Sequence, residues 1–413
     1  MRVHHTVCCG IDVHKKSVTA CLMWGPADQE PQCEIRRFGT MTSQLKALGE
    51  WLKQAHCEMA AMESRGAYWK PVWNVLEGEV PLILANAKHV RALPGEKSDN
   101  KDGKRLASFV RHGLIRASFV PPRDVRELRD LTRYRTKLLA NGSAERNRIQ
   151  KVLEDANIKL GSVLSDVFGV SGQKMLHALV DKPALNVEEV AALAHWRLQP
   201  KIEQLKLALE GRITAHHRFM VDLSMGHMQY IEQQILRLDE EIARHIAPYQ
   251  QQFELLQTIP GIGETASASI LSEIGPDMSP FDDDGKLASW SGICPGNNES
   301  AGKKFNTNTR KGNRHFVSTM VECAWASTRK KGSHFKARYY RVRARRGSQR
   351  AILAVGHGLV RTVFVVLKTG KPYQEPIRPL LTEKQRHRKA ERLSRELGQL
   401  GFAVTLKPKT AQP

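Results

Sequence analysis

The chain has 413 residues, room for two to three domains at the usual scale of about 150 residues each. Lys and Arg number 64 against 42 Asp and Glu, a net charge of +22, and 41% hydrophobic residues is ordinary for a folded protein. Disorder as the main state is excluded, and the charge implies a polyanionic partner, nucleic acid before anionic membrane. No stretch of about 18 uncharged apolar residues offers a membrane span, and MRVHHTVCCGIDV lacks the basic, apolar and small-residue order of a signal peptide. A cytosolic protein without a membrane partner is expected.

The first 120 residues alternate between strand and helix patterns. Strands are predicted at Val7 to Val13, Val18 to Trp24, Glu34 to Phe38, Glu58 to Met62 and Val80 to Ala85, and helices near Thr42–Ala55, Ala67–Leu76 and Ser98–Arg111. The order β-β-β-α-β-α-β-α implies antiparallel pairing first and parallel additions later, a mixed sheet flanked by helices. Five of the seven cysteines (Cys8, Cys9, Cys21, Cys33, Cys57) fall here and two (Cys294, Cys323) later. They form no C-x-x-C pair and read as reduced, packed thiols.

From Pro121 and Pro122 onward long helices take over. Val221, Met225, Met228, Ile231, Ile235, Leu238 and Ile242 recur at steps of three and four, a seam of about three heptads that suits either a coiled coil or a core-facing helix. If it pairs two chains, the protein is a dimer. After Pro248 the chain turns compact and mostly helical. The expected domains are therefore 1–120, 121–250 and 251–413, the first α/β and the others α.

In LLQTIPGIGETASASILSEIG a Pro-Gly-Ile-Gly turn joins two helices, as in a helix-hairpin-helix or a plain αα-turn. In the first reading Gly261, Ile262 and Gly263 bring backbone N–H groups and a helix N-terminus to a DNA phosphate. Ser300 follows in a loop of Gly, Asn and small residues, and by chemistry alone is a turn former. Residues 301–350 then carry 15 Lys or Arg against the single acid Glu322, an imbalance that a phosphate backbone would neutralise. A second basic run, Lys384 to Arg395, reads as a helix.

Four carboxylates stand out against this background. Asp12 ends the apolar run VCCGIDV and Glu63 ends MAAME, each at the C-terminal end of a strand, where α/β sheets place functional groups. Asp99 and Asp102, in KSDNKDGKRLA, are three apart and share a helix face. Singly, Asp99 also suits a helix N-terminal acid and Glu63 a surface charge. Together, four converging carboxylates would repel one another unless they held hard divalent cations such as a Mg²⁺ pair.

GIDVHKKSVTACL, AMESRG and SDNKDGKRLA together resemble the Asp-Glu-Asp-Asp pattern of the RuvC-like, ribonuclease-H-type fold, and specifically the DEDD transposases of insertion sequences related to the Piv DNA invertases. Gly103 stands where that family usually has Ala. The later stretch, from Gly292 to Pro295 through Ser300 to KGNR, is similar to the C-terminal domain of the same family. The resemblance implies a Mg²⁺-dependent transposase or recombinase with Asp12, Glu63, Asp99 and Asp102 as metal ligands. It implies Ser300 as the nucleophile forming a phosphoserine with DNA, although Ala301 separates it from Gly302 where relatives often have Ser-Gly; Ser291 is the competitor. Lys303, Lys304, Arg310, Lys311 and Arg314 would hold the phosphate. A structured guide RNA encoded by the element and a homodimer or homotetramer with sites shared between protomers are implied as partners. Two other classes remain open: a RuvC-type endonuclease acting through water, and a non-catalytic nucleic-acid binder.

Overall fold

Runs such as VCCGIDV and SVTACLMW, apolar on both alternating sides, are those of strands covered on both faces. A computed structural model, which describes residues 2–64, 66–86, 90, 99–181, 186–294, 298–300, 303–306, 309, 312–376 and 383–406, forms them as β1 (Val7–Val13) and β2 (Ser17–Trp24). The chain divides into two units, Met1–Pro122 and Arg123–Pro413.

In the first unit β3 (Gln32–Gly39), α1 (Thr42–Gln54), β4 (Met59–Glu63), α2 (Trp69–Leu76), β5 (Leu82–Ala85) and α3 (Asp99–Arg111) follow in the expected order. The sheet order is β3-β2-β1-β4-β5. β1, β2 and β3 pair antiparallel, whereas β4 and β5 add in parallel beside β1. One face packs Ile11, Val18, Ala20 and Leu22 on Leu45, Leu48, Trp51, Val72 and Leu76 of α1 and α2. The other packs Cys8, Cys21, Met23 and Ala61 on Leu106, Ala107, Phe109 and Val110 of α3. The thiols are free and mostly buried, and burial pushes those of Cys8 and Cys21 up to about 12, so they pack as small apolar groups.

The helix α3 lies unusually close to β1. A Cβ built on Gly10 would stand 2.1 Å from the Gly103 carbonyl oxygen and 2.4 Å from the Ala107 nitrogen, so only glycine admits the helix here. The far end is tied by Arg111, 1% exposed, whose guanidinium donates to the carbonyls of Thr6, Gly25 and Pro26 at 3.0, 2.9 and 2.7 Å. Gly103 itself is unconstrained in this way. A Cβ there would make only ordinary contacts, the nearest 3.4 Å from the Gly10 oxygen. Gly103→Ala should therefore leave the packing intact and raise stability by up to about 1 kcal/mol through helix propensity, read as a higher melting temperature.

The second unit starts with two long helices, α4 (Arg123–Asp155, 33 residues) and α9 (Ala215–Ile246, 32 residues). Between them, among the described residues, stand the short helices α5 (Leu160–Val163), α6 (Val170–Asp181), α7 (Val187–Ala192) and α8 (Ile202–Leu209), with a 3-10 turn at Trp196–Lys201. The heptad seam finds its partner within the chain. Val221, Met225, Met228 and Ile231 are buried, Met225 and Met228 in one cluster with Ile149 and Leu153, and Ile231 lies 3.7 Å from where a Cβ on Gly142 would be. Polar pairs set the antiparallel register: His217 with Asp155 at 2.8 Å, His227 with Glu145 at 2.8 Å and Arg135 with Asp239 at 2.5 and 3.1 Å. Periodicity reports a buried stripe but not whose surface buries it, and here the inference from seam to dimer loses its basis.

The rest of the unit comprises α10 (Gln250–Gln257), α11 (Glu264–Ile274), α12 (Asp284–Ser291), the hairpin β6 (Asn298–Ser300) and β7 (Lys303–Asn306), α13 (Arg314–Ser327), α14 (His334–Arg346), α15 (Ser348–Thr369) and α16 (Glu383–Gln399). Among the described residues α15 alone is long and apolar enough to cross a membrane, and His357 and Arg361 fall within it. Ala351, Val355, Leu359, Val360 and Val363 are fully buried, so α15 is a core helix, against which α12, α13 and α14 pack.

Candidate active site

In the first unit the parallel ladder between β1 and β4 ends at Ile11 opposite Met62, which leaves Asp12 and Glu63 side by side one residue further on. By the two-residue period of a strand both share the face of Cys8 and Ala61, the face that α3 covers. Asp102, one position before the Gly103 contact with Gly10, faces the same space. Asp12, Glu63, Asp102 and Arg105 line one cavity of about 30 Å³ with Ile11, Val90 and Leu106, room for an occupant of water or cation size. Three elements distant in sequence thus bring three of the four expected carboxylates together. The side chain of the fourth, Asp99 at the first residue of α3, lies outside the described residues.

Two basic groups that sequence reasoning passed over belong to this site. His14 Nε2 lies 2.9 Å from Asp12 Oδ2. Arg105 brings a guanidinium into the cavity, donates to the Val90 carbonyl at 3.0 Å and lies 5.3 Å from the Phe109 ring centroid. The donor chemistry fits a hard divalent cation, since Mg²⁺ takes one or two carboxylates and completes its shell with water and substrate phosphate. Among the described residues no group of three His, Cys, Asp or Glu stands ready to hold an ion unaided.

In the second unit β6 and β7 pair Ser300 with Lys303, which places Ser300 at the turn end of the hairpin. The side chains of Ser300, Lys303 and Lys304, and the whole of Arg310 and Lys311, lie outside the described residues. Ser291 is fully buried, its Oγ donating to the Ala288 carbonyl at 2.8 Å and accepting from the Ile293 N–H at 3.2 Å, so it closes the end of α12 and is closed to substrate.

Gly312 and Asn313, at the start of α13, are held by close contacts. A Cβ on Gly312 would stand 2.1 Å from the Ser291 carbonyl oxygen, so glycine is needed for that approach. Asn313 caps α13 by accepting from the Phe316 N–H at 3.3 Å, while its Nδ2 donates to Glu273 Oε2 at 2.6 Å. Glu273, 1% exposed, accepts from Arg133 through both oxygens at 2.7 and 2.9 Å and pairs with Arg129 at 3.3 Å. Burial alone would raise its pKa, but the Arg133 hydrogen bonds, the Arg129 charge and the Asn313 hydrogen bond outweigh that and hold the carboxyl below the usual glutamate range.

Of the turn residues expected at DNA, Ile262 puts its side chain in the core, 5% exposed. Gly261, at φ +90°, packs on α13, where a Cβ would meet the Cys323 oxygen at 2.4 Å; Gly263 is open and caps α11 without a side chain. Gly261 and Arg314 line the same groove of about 690 Å³ between α4, α11 and α13, with Arg133, Arg135, Thr265 and Ser269. His315 also lines it, and burial, then the Arg133 charge, hold its pKa below the ordinary value, leaving a neutral imidazole able to accept a proton.

Residues 9–158 match a family model of the DEDD, IS110 type described as a transposase. Residues 253–340 match a second, described as transposase IS116/IS110/IS902 family. No curated protein matches the chain. The first match spans Asp12, Glu63, Asp99 and Asp102, and the second spans Ser300 and the groove-lining Gly261 and Arg314.

Proposed function

Because the chain belongs to the IS110-type insertion-sequence transposases, enzymes acting on DNA, we propose that it cuts and rejoins DNA strands through a phosphoserine on Ser300, with Asp12, Glu63, Asp99 and Asp102 holding Mg²⁺. The convergence of Asp12, Glu63 and Asp102 on one cavity from two strand ends and a helix is the observation that supports this most. Mg²⁺ bound there would lend Lewis acidity to a phosphate.

The reaction asks specific things of the chain's own residues. Ser300 Oγ attacks phosphorus, forming an Oγ–P bond as the bond from phosphorus to the 3′ oxygen breaks; the hydroxyl proton passes to a base and the 3′ oxygen leaves protonated. A 3′ hydroxyl of the receiving strand reverses these bond changes and frees Ser300. Lys303, Lys304, Arg310, Lys311 and Arg314 neutralise charge on the phosphate during transfer. Gly261 and Gly263, with the N-terminus of α11, let a DNA backbone approach the groove closely; Ile262 anchors that turn in the core. Target choice rests on base pairing by an element-encoded RNA. The active assembly is a homodimer or homotetramer in the cytoplasm, held by surfaces other than the heptad seam. Within Arg123–Pro413, the pairs of Arg129 and Arg133 with Glu273 join the helical hairpin to the C-terminal helices.

The test is a denaturing gel of the full chain incubated with labelled element junction, Mg²⁺ and the candidate RNA. A DNA–protein adduct is expected, absent in Ser300→Ala. In Asp102→Asn the rate should fall by on the order of 100-fold or more. An adduct that survives Ser300→Ala would remove the nucleophile assignment, and cleavage without any adduct would instead support hydrolysis by water.

A further inference from the structure

A separate cavity of about 640 Å³ opens between the start of α14, the middle of α15 and the extended segment 371–376. One wall is aromatic and apolar. Phe335 and Tyr373 stack with centroids 5.9 Å apart and planes 25° apart, and Val365, Val366 and Pro372 continue the surface. A cationic wall adjoins it, formed by Arg338, Arg361 and Lys371, with Arg338 one turn from Phe335 on α14. Its two nearby acids are already engaged: Asp284 pairs with Arg361 at 2.7 Å, and Glu375 accepts from the His334 N–H.

Arg338 lacks such an answer. It is half-buried, with Nη1 3.2 Å from where a Cβ on Gly358 would stand, and among the described residues no carboxylate or carbonyl accepts from it. Burial first, then the like charges of Arg361 and Arg341, lower its pKa. The same field reaches His357, where burial, then Arg338 and Arg361, lower the pKa while Asp284 opposes. A cation withdrawn from water without an anion is costly, and a phosphate received by the guanidinium fork removes that cost. The Tyr373 hydroxyl is buried, and burial, then the charge and hydrogen bonding of Glu375, push its pKa up to about 12, so it stays protonated.

We propose that this cavity receives one unstacked nucleotide of a single-stranded nucleic acid, its phosphate on Arg338 and its base against Tyr373, which the buried Phe335 backs. The volume lies in the range of small-ligand sites. A duplex keeps its bases stacked and offers only phosphates, which would leave the aromatic wall idle, whereas a strand with one base turned out uses both walls. Both DNA and RNA carry this chemistry. The inference rests on the chain's acting on nucleic acid, and is independent of Ser300 and of any metal.

The test uses the full chain without divalent ions and 12-residue single strands carrying one central 4-thiothymidine in DNA or 4-thiouridine in RNA. Strands are photo-crosslinked and the adduct peptide is identified by mass spectrometry. Adducts are expected on the peptide bearing Tyr373, with yield falling about 10-fold or more in Arg338→Ala at unchanged melting temperature. Should Arg338→Ala melt early, Arg338→Lys, which keeps the stem and charge but loses the fork, should fold and still lower the yield severalfold. Adducts in the DNA arm, the RNA arm or both identify the strand. Adducts confined to other peptides, or yields indifferent to both Arg338 variants, would overturn the proposal. Duplex cleavage by the same preparations separates the failures: an intact Ser300 adduct beside a missing Tyr373 crosslink sinks the cavity alone.

Discussion

Gly10→Ala should cost the first unit about 3 kcal/mol or more and reduce strand cleavage on the order of 100-fold. The new methyl would sit 2.1 Å from a helix carbonyl and 2.4 Å from a helix nitrogen, contacts that only movement of α3 can relieve. Overpacking of this kind typically costs 1–3 kcal/mol, and backbone neighbours yield less readily than a side chain. Arg111 ties the other end of α3 to three carbonyls, so the helix is expected to pivot and to carry Asp102 away from Asp12 and Glu63. A displacement near 1 Å at reacting groups is worth about two orders of magnitude in rate. The measurements are a thermal melt and the adduct assay. Gly103→Ala is the matched control, one methyl added on the other side of the same contact. Equal behaviour of the two variants would show that α3 does not lie this close to β1.

Replacing Glu273 should be the most damaging single change in the second unit. Glu273→Ala leaves Arg129 and Arg133 facing each other without their carboxylate and takes the hydrogen bond from Asn313, the cap of α13. Removing one member of a buried ion pair costs about 3–5 kcal/mol. Glu273→Gln keeps the shape and one acceptor oxygen and should cost less. The folded carboxyl titrates below its unfolded value of about 4.3, so its contribution is fully present above that pH and is lost as pH falls through the lower folded pKa. Melting followed from pH 7 down to pH 3 should therefore drop more steeply in the wild type than in Glu273→Gln at the acid end. Parallel curves would refute the assignment.

The mixed sheet of the first unit was legible because its strands are short apolar runs bounded by polar turns, and Val7–Val13 is bounded as expected. Strand order was not, since nothing in the chain between β3 and β4 states that α1 carries it past β2 and β1. Asp12 and Glu63 were visible as charges ending apolar runs. Gly10 had a signal that went unused, a glycine inside a strand pattern, which marks close backbone approach. Glu273 had none: an acid near a helix end reads as solvated, and only the fold reveals that two arginines about 140 residues earlier in the chain enclose it. The heptad pattern marked a buried stripe, but reading it as a coiled-coil seam left its partner open; that partner is α4, whose facing residues include Glu145 and Gly142 and so carry no clean apolar repeat.

The hairpin of α4 and α9 constrains how this chain can change length. Its pairs run from Asp124 with Tyr249 at one end to Asp155 with His217 at the other, in a single register throughout. A residue inserted in one helix alone would rotate everything beyond it by about 100° and turn buried positions outward. Growth or shortening of the arm must therefore come as matched edits in both helices, placed short of the tip, where α5 to α8 bury Leu160, Met175, Leu176, Leu179 and Val190 in one cluster with Ile149, Leu153, Val221 and Met225. Stem and head share one core, so the tip fixes the length of the arm.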